Sequence, residues 1–165
     1  MAETCQPLPN LDGGFAYGES SLSTASFEEI TLSAWIKADN LPIGGSAILS
    51  AVDGPSLSPI PLGWDFSRNS THFKFWADRS NLSAFVSVPF SDTTSWHNIV
   101  ATYDGNYQKI YLDGVLEDTL SYSVGLDGSG STYIGAHSSN IYFPCNKCTI
   151  KVVRPRVIRA SQHIF

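Results

Sequence analysis

The sequence predicts an all-β domain in which two antiparallel sheets pack face to face, and three observations predict it. Composition favours strands: 42% of the residues are hydrophobic and 12% aromatic, while Lys and Glu number only five each, and aromatic and β-branched side chains pack well on pleated surfaces. Many short segments alternate apolar and polar residues with period two, and no convincing helical period is visible. Gly, Pro, Asn and Asp punctuate those segments, with 13 Gly and 9 Pro in all. Roughly ten short strands divided by turn signals describe a sandwich or a barrel. With 165 residues the chain fits one domain, residues 1–165, with 1–12 as an extended lead-in. No internal repeat of propeller or solenoid length is present.

Each element follows from local chemistry. Residues 5–27 are rich in Pro, Gly and Ser and predict one short strand. Ile30 to Lys37 alternates cleanly, with Leu32, Ala34 and Ile36 on one face. Asp39 to Gly45 breaks it, and Ser46 to Ala51 is the next strand. Three prolines between Pro55 and Pro61 make a loop, since Pro cannot donate to an interior ladder. Gly63–Ser67 and His72–Ala77 form a pair around the turn 68–71, with Phe73, Phe75 and Ala77 on one face and His72, Lys74 and Trp76 on the other. Leu82–Val88 follows, closed by Pro89.

Residues 96–124 are the most informative. Trp96 to Tyr103 alternates, Asp104-Gly105-Asn106 turns the chain, and Tyr107 to Leu112 runs back. Asp113-Gly114 is the pair favoured in two-residue type I′ hairpins, where both central residues need positive φ. Val115–Val124 completes a meander, and strands at Thr132–Ala136 and Cys148–Val157 end the chain.

Three blocks carry a family resemblance. Ile30-Thr31-Leu32-Ser33-Ala34-Trp35-Ile36-Lys37 resembles the early "FTLSAWVK" strand of laminin-G-like domains. Ser95-Trp96-His97-Asn98-Ile99-Val100-Ala101-Thr102-Tyr103-Asp104-Gly105 is similar to that family's "WHHVAVTYDG", and Lys109 to Val115 to its "KLYVDGVL". Thr132-Tyr133-Ile134-Gly135 fits the "IGA" strand. The resemblance covers about residues 28–160 and implies an all-β, two-sheet antiparallel jelly-roll sandwich of the concanavalin A-like and laminin-G-like kind. The closing strand departs from the pattern: 149–161 keeps "RAS" but carries no carboxylate.

The superfamily contains glycosidases, whose chemistry needs two carboxylates flanking the bond. The five Glu (3, 19, 28, 29, 117) form no such pair, and Glu28-Glu29, being adjacent, point to opposite faces of a strand. No G-x-S-x-G elbow is present, the four His are scattered, and His97 sits where the family has a structural His. The chain is therefore expected not to be an enzyme. Calcium is the one cofactor the resemblance implies, with Asp53, Asp65, Asp78 and Asp127 as oxygen donors at loops or strand ends; solvated turn acids are the alternative. In sandwiches of this kind the first and last strands often run side by side, which implies a disulfide from Cys5 to Cys145 or Cys148; free thiols are the alternative.

Aromatic side chains are the expected binding groups. Trp76 is the leading exposed candidate, with Trp64, Tyr107, Tyr111 and Tyr142, whereas Trp35 and Trp96 are assigned to the core. Net charge is −5, which argues against nucleic acid, yet residues 128–165 hold no acid and five of the ten basic residues. Lys151, Arg154, Arg156 and Arg159 thus mark a strand for self-docking or for docking to an acidic surface; a solvated final strand whose charges face water is the alternative. No apolar run reaches the ~18 residues of a membrane helix, and Met1–Pro7 does not read as a secretory signal. Two functions are expected: a surface-displayed attachment module, extracellular or on a virion, recognising a glycan or protein; or a structural virion subunit, a head or tail decoration protein, docking to other subunits or to copies of itself.

Overall fold

The computed structural model describes residues 18–23, 27–38, 46–53, 62–126, 131–138, 141–142 and 148–153. Their strands are β1 (Gly18–Ser23), β2 (Ile30–Ala38), β3 (Ser46–Asp53), β4 (Leu62–Arg68), β5 (His72–Trp76), β6 (Val86–Pro89) and β7 (His97–Tyr103). After them come β8 (Tyr107–Leu112), β9 (Val115–Ser121), β10 (Ser131–Ile134), β11 (Ala136–Ser138), β12 (Ile141–Tyr142) and β13 (Cys148–Val153). One antiparallel sheet has six strands in the order β1-β10-β3-β4-β5-β6, and the other has five, β13-β2-β7-β8-β9. A ribbon of β11 and β12 stands beside them. No helix occurs among the described residues, so none there is long and apolar enough to cross a membrane.

The alternating rows close against each other between the sheets. Ile30, Leu32, Ala34 and Ile36 of β2 join Ile99, Ala101 and Tyr103 of β7 and Ile110 of β8 on one side. Facing them are Trp64 and Phe66 of β4, Phe73 and Phe75 of β5, and Val86 and Val88 of β6. Each large apolar side chain shut away in this layer contributes about 1.5–3 kcal/mol. Phe66 and Phe75 meet edge to face, with ring centroids 6.5 Å apart.

The meander forms as its turn chemistry dictates. Asp113 (φ 50) and Gly114 (φ 84) both adopt positive φ, the geometry of the type I′ hairpin between β8 and β9. Asp104 Oδ1 accepts from the backbone N–H groups of Asn106 and Tyr107 and caps the β7–β8 turn.

Several boundaries differ from expectation. The strand expected at 82–88 begins only at Val86, because 77–85 is a polar-pinned loop. Gln108, fully buried on the inward row of β8, accepts the Ala77 N–H at 2.9 Å and donates to the Ala84 carbonyl at 3.2 Å. Tyr122 Oη donates to Asp78 Oδ2 at 2.8 Å, and the Arg79 N–H donates to the Gly63 carbonyl at 2.7 Å. The strand expected at 132–136 breaks at Gly135 (φ 79) into β10 and β11. β9 ends at Ser121, short of Val124. The last expected strand, to Val157, is described as far as Val153.

Arg68 occupies an inward position of β4, opposite Phe73, and is 3% exposed. Its guanidinium lies 5.7 Å from the Phe73 centroid and 5.2 Å from that of Phe90. None of its nitrogens has a hydrogen-bond partner among the described residues. Burial lowers its pKa, the signature of a cation held without enough compensation.

Candidate functional site

Alternation gives each sheet an outer face, and the two outer faces differ. On the six-stranded sheet, Lys74 and Trp76 of β5 and Asp65 of β4 point outward, Trp76 lying opposite Asp65. The loop 77–85 folds back over them. Trp76 is only 7% exposed: its Nε1–H donates to the Leu82 carbonyl at 3.3 Å, and its ring packs on Phe85 at 5.0 Å. The Arg79 guanidinium lies 4.6 Å from the same ring and the Lys74 ammonium 5.7 Å. Arg79 Nη1 also donates to the buried Asp65 carboxylate at 2.9 Å. The expectation that Trp76 is the leading exposed aromatic is thus corrected: a loop invisible to strand periodicity covers it. Trp64 is corrected too, since it lies on the inward row of β4 and is 1% exposed.

The five-stranded sheet keeps its outer face open. Trp35 of β2 and Trp96, just before β7, are each 42% exposed, against the expectation that both fill the core. Trp35 points away from the inward Ala34 and Ile36, and no second layer lies over it among the described residues. Asn98 stands opposite Trp35 in the ladder, and Trp96 precedes Asn98 by two residues. Trp96, one residue before the terminal ladder pair Ile36–His97, thus falls near the position diagonal to Trp35, where residues are about 7–8 Å apart across the strands. Val100 and Tyr111 continue the face on β7 and β8. Of the other expected binding aromatics, Tyr107 is exposed and Tyr111 half-buried. Leu116 lies opposite Tyr111 and is exposed.

His97 braces the end of this face. Its Nδ1 meets Asp113 Oδ2 at 2.7 Å and its Nε2 meets Asp92 Oδ2 at 3.1 Å. Asp113 Oδ1 also accepts the Asn98 N–H at 2.8 Å. Asp92 Oδ1 accepts from the N–H and hydroxyl of Thr94, at 2.6 and 2.8 Å, and from the Ser95 N–H. The Thr94 bonds, followed by those from His97 and Ser95, hold the Asp92 carboxyl well below the usual carboxylate range. Partial burial opposes the charge on His97, but its bonds to Asp113 and Asp92 outweigh that and raise its pKa. Sequence reading marked His97 as structural without finding its two partners. The signal was present, since Asp113 sits in the hairpin turn that the register brings beside β7.

Among the described residues no group of three or more His, Cys, Asp or Glu is placed to hold a metal. Of the calcium candidates, Asp65 and Asp78 are buried rather than at an open loop rim, with carboxylates directed at Arg79, and at Ser80 and Tyr122. The side chains of Asp53, Asp127 and Tyr142 lie outside the described residues, as do Cys5, Cys145 and Cys148 as thiols. Arg154, Arg156 and Arg159 lie outside them too. Lys151 is placed by its backbone alone, opposite Trp35 in the β13–β2 ladder.

The family model of the concanavalin A-like lectin/glucanases superfamily matches residues 12–145. The chain belongs to this superfamily. As a member of the concanavalin A-like superfamily it shares its sandwich with several solved structures. The botulinum neurotoxin serotype D binding domain superposes with a TM-score of 0.51 at 17% identity, over 81% of this chain and 34% of that one. The binding domain of botulinum neurotoxin DC, solved in complex with SialylT, gives 0.51 at 20% identity over 78% and 31%. A mutant Trypanosoma rangeli sialidase displaying trans-sialidase activity gives 0.52 at 20% identity over 75% and 20%. The chain thus spans about a third of the neurotoxin chains and a fifth of the sialidase, and the likeness is one of fold. No curated protein sequence matches it.

Proposed function

We propose that this superfamily member is a non-catalytic recognition module, displayed at an extracellular surface, that binds a glycan on the outer face of its five-stranded sheet. The observation that carries the reading is the diagonal pair Trp35 and Trp96, two large aromatics left open on one face. Flat indole faces suit the apolar faces of sugar rings, and Asn98, opposite Trp35, offers its Oδ1 to ring hydroxyls while its Nδ2 donates to Ser33 and the Ala34 carbonyl. The neurotoxin DC binding domain, similar in fold, has been solved in complex with SialylT, which supports a recognition role. Asp92 and Asp113, the carboxylates beside the Trp96 end of the face, are both committed to His97. That leaves the face suited to holding a sugar rather than cleaving one.

A glycan array probed with the wild-type chain tests the reading. Binding to at least one saccharide class is expected, weakened about tenfold or more in Trp35→Ala. A flat array with folded protein overturns it.

A further inference from the structure

We propose that His97 is the positioning residue of the recognition face: as an imidazolium bridging Asp92 and Asp113, it ties the segment that carries Trp96 to the β8–β9 turn. The inference rests on the reading of that face as the binding surface, but its structural content stands apart from any ligand.

The geometry sets the protonation state. Both ring nitrogens meet carboxylate oxygens, at 2.7 and 3.1 Å, and an ionised carboxylate only accepts. A neutral imidazole carries a single N–H, so it can satisfy one of these contacts and must turn a lone pair toward the other. The complete bridge therefore belongs to the charged ring. The other groups near the ring do not favour its charge, so the two carboxylates carry it: the Phe90 ring stands at 84° to His97 with centroids 5.0 Å apart, and the Arg68 cation lies on Phe90 at 5.2 Å. Ile36 stands opposite on β2. Among the described residues, Asp92 and Asp113 are the only carboxylates in contact with the ring.

The two contacts differ in what they hold. Asp113 is part of the rigid hairpin and also caps the Asn98 N–H. Asp92 organises the 92–95 turn through Thr94 and Ser95 and, among the described residues, reaches β7 by its bond to His97. When the ring loses its proton, the shorter bond to Asp113 persists and the longer one to Asp92 gives way. The 92–95 turn that leads into Trp96 then loses its tie to the β8–β9 hairpin. Placement of Trp96, and with it affinity for a ligand stacked there, falls as pH rises through the His97 pKa.

The protein alone provides the test. Indole N–H and imidazole resonances are followed by NMR from pH 5 to 9, with Trp96 assigned through Trp96→Phe. His97 is expected to titrate above the ordinary ~6.5, and the Trp96 indole to shift with the same midpoint while Trp64 and Trp76 stay flat. Asp92→Asn should leave His97 titrating but uncouple Trp96, and His97→Gln should remove the step. A Trp96 resonance that stays flat through the His97 transition overturns the inference, as does a His97 midpoint at or below ~6.5. If the coupling appears but the glycan array is flat, the binding reading fails and the positioning role stands.

Discussion

The outer faces of the two sheets carry comparable aromatic residues and end in opposite states. On the six-stranded sheet Trp76 is buried under a loop, an arginine and a lysine. On the five-stranded sheet Trp35 and Trp96 stand open. The difference arises far from either face. Gln108 and Tyr122, rooted in and just beyond the five-stranded sheet, reach across to the 77–85 loop and press it over Trp76. Period-two alternation decides which side of a sheet a side chain takes, but long-range polar contacts decide whether that side is covered.

Removing the pins should break the contrast with the largest effect. Gln108→Ala strands the Ala77 N–H and Ala84 carbonyl inside the protein, at a cost of about 1–3 kcal/mol each. Urea unfolding is expected to show a loss of about 2–6 kcal/mol in total, and acrylamide quenching to show Trp76 becoming accessible. Unchanged stability would mean that the loop is held by something else.

Arg68 gives the next effect and the opposite sign. A buried guanidinium on two aromatic rings, with no hydrogen-bond partner among the described residues, is a burden that packed apolar atoms remove. Arg68→Met should leave stability unchanged or raise it by about 1–2 kcal/mol in the same assay. A loss above that size would show that the charge has a partner.

Open positions should respond least. Trp35→Ala and Trp96→Ala are expected to change stability by no more than about 1 kcal/mol, whereas Trp76→Ala should cost several, about 3–5 kcal/mol as for a buried aromatic. Equal losses at all three would erase the contrast between the faces.

The brace at His97 makes stability depend on pH at both ends. Burial disfavours the Asp113 charge, yet its bonds to His97 and Asn98 win and lower its pKa; Asp92 is lowered as well. Carboxylates depressed in the folded state stabilise above their unfolded value near ~3.9 and lose that contribution as pH falls through the folded value. His97, raised in the folded state, contributes fully below ~6.5 and loses it as pH rises through its folded value. Thermal unfolding should therefore peak between about pH 4 and 6.5, and His97→Gln should flatten the alkaline side. An alkaline arm that survives in His97→Gln would assign it to another group.

Much of the sandwich was legible because its information is local. The Asp113-Gly114 hairpin, the Asp104 cap and the inward rows of β2, β5 and β7 follow from turn chemistry and alternation. The site was less legible. Alternation already set Trp35 opposite Ala34 and Ile36, but the habit of placing large aromatics in cores pulled it inward. Trp76 was on the outer row as read, and only its cover was missed. Trp64 illustrates a different gap: β4, flanked by β3 and β5, puts alternate residues in the core, yet its sequence Leu-Gly-Trp-Asp-Phe-Ser-Arg fixes no face because an arginine ends the inward row.

The claim that the five-stranded face is the binding surface is tested most directly by a glycan titration of three proteins. Wild type, a Trp35→Ala/Trp96→Ala double variant and Arg68→Met are compared on the saccharide that the array selects. Binding by wild type and Arg68→Met, with loss in a folded double variant, is the predicted result. Undiminished binding by the double variant would contradict it and place the ligand elsewhere on the sandwich.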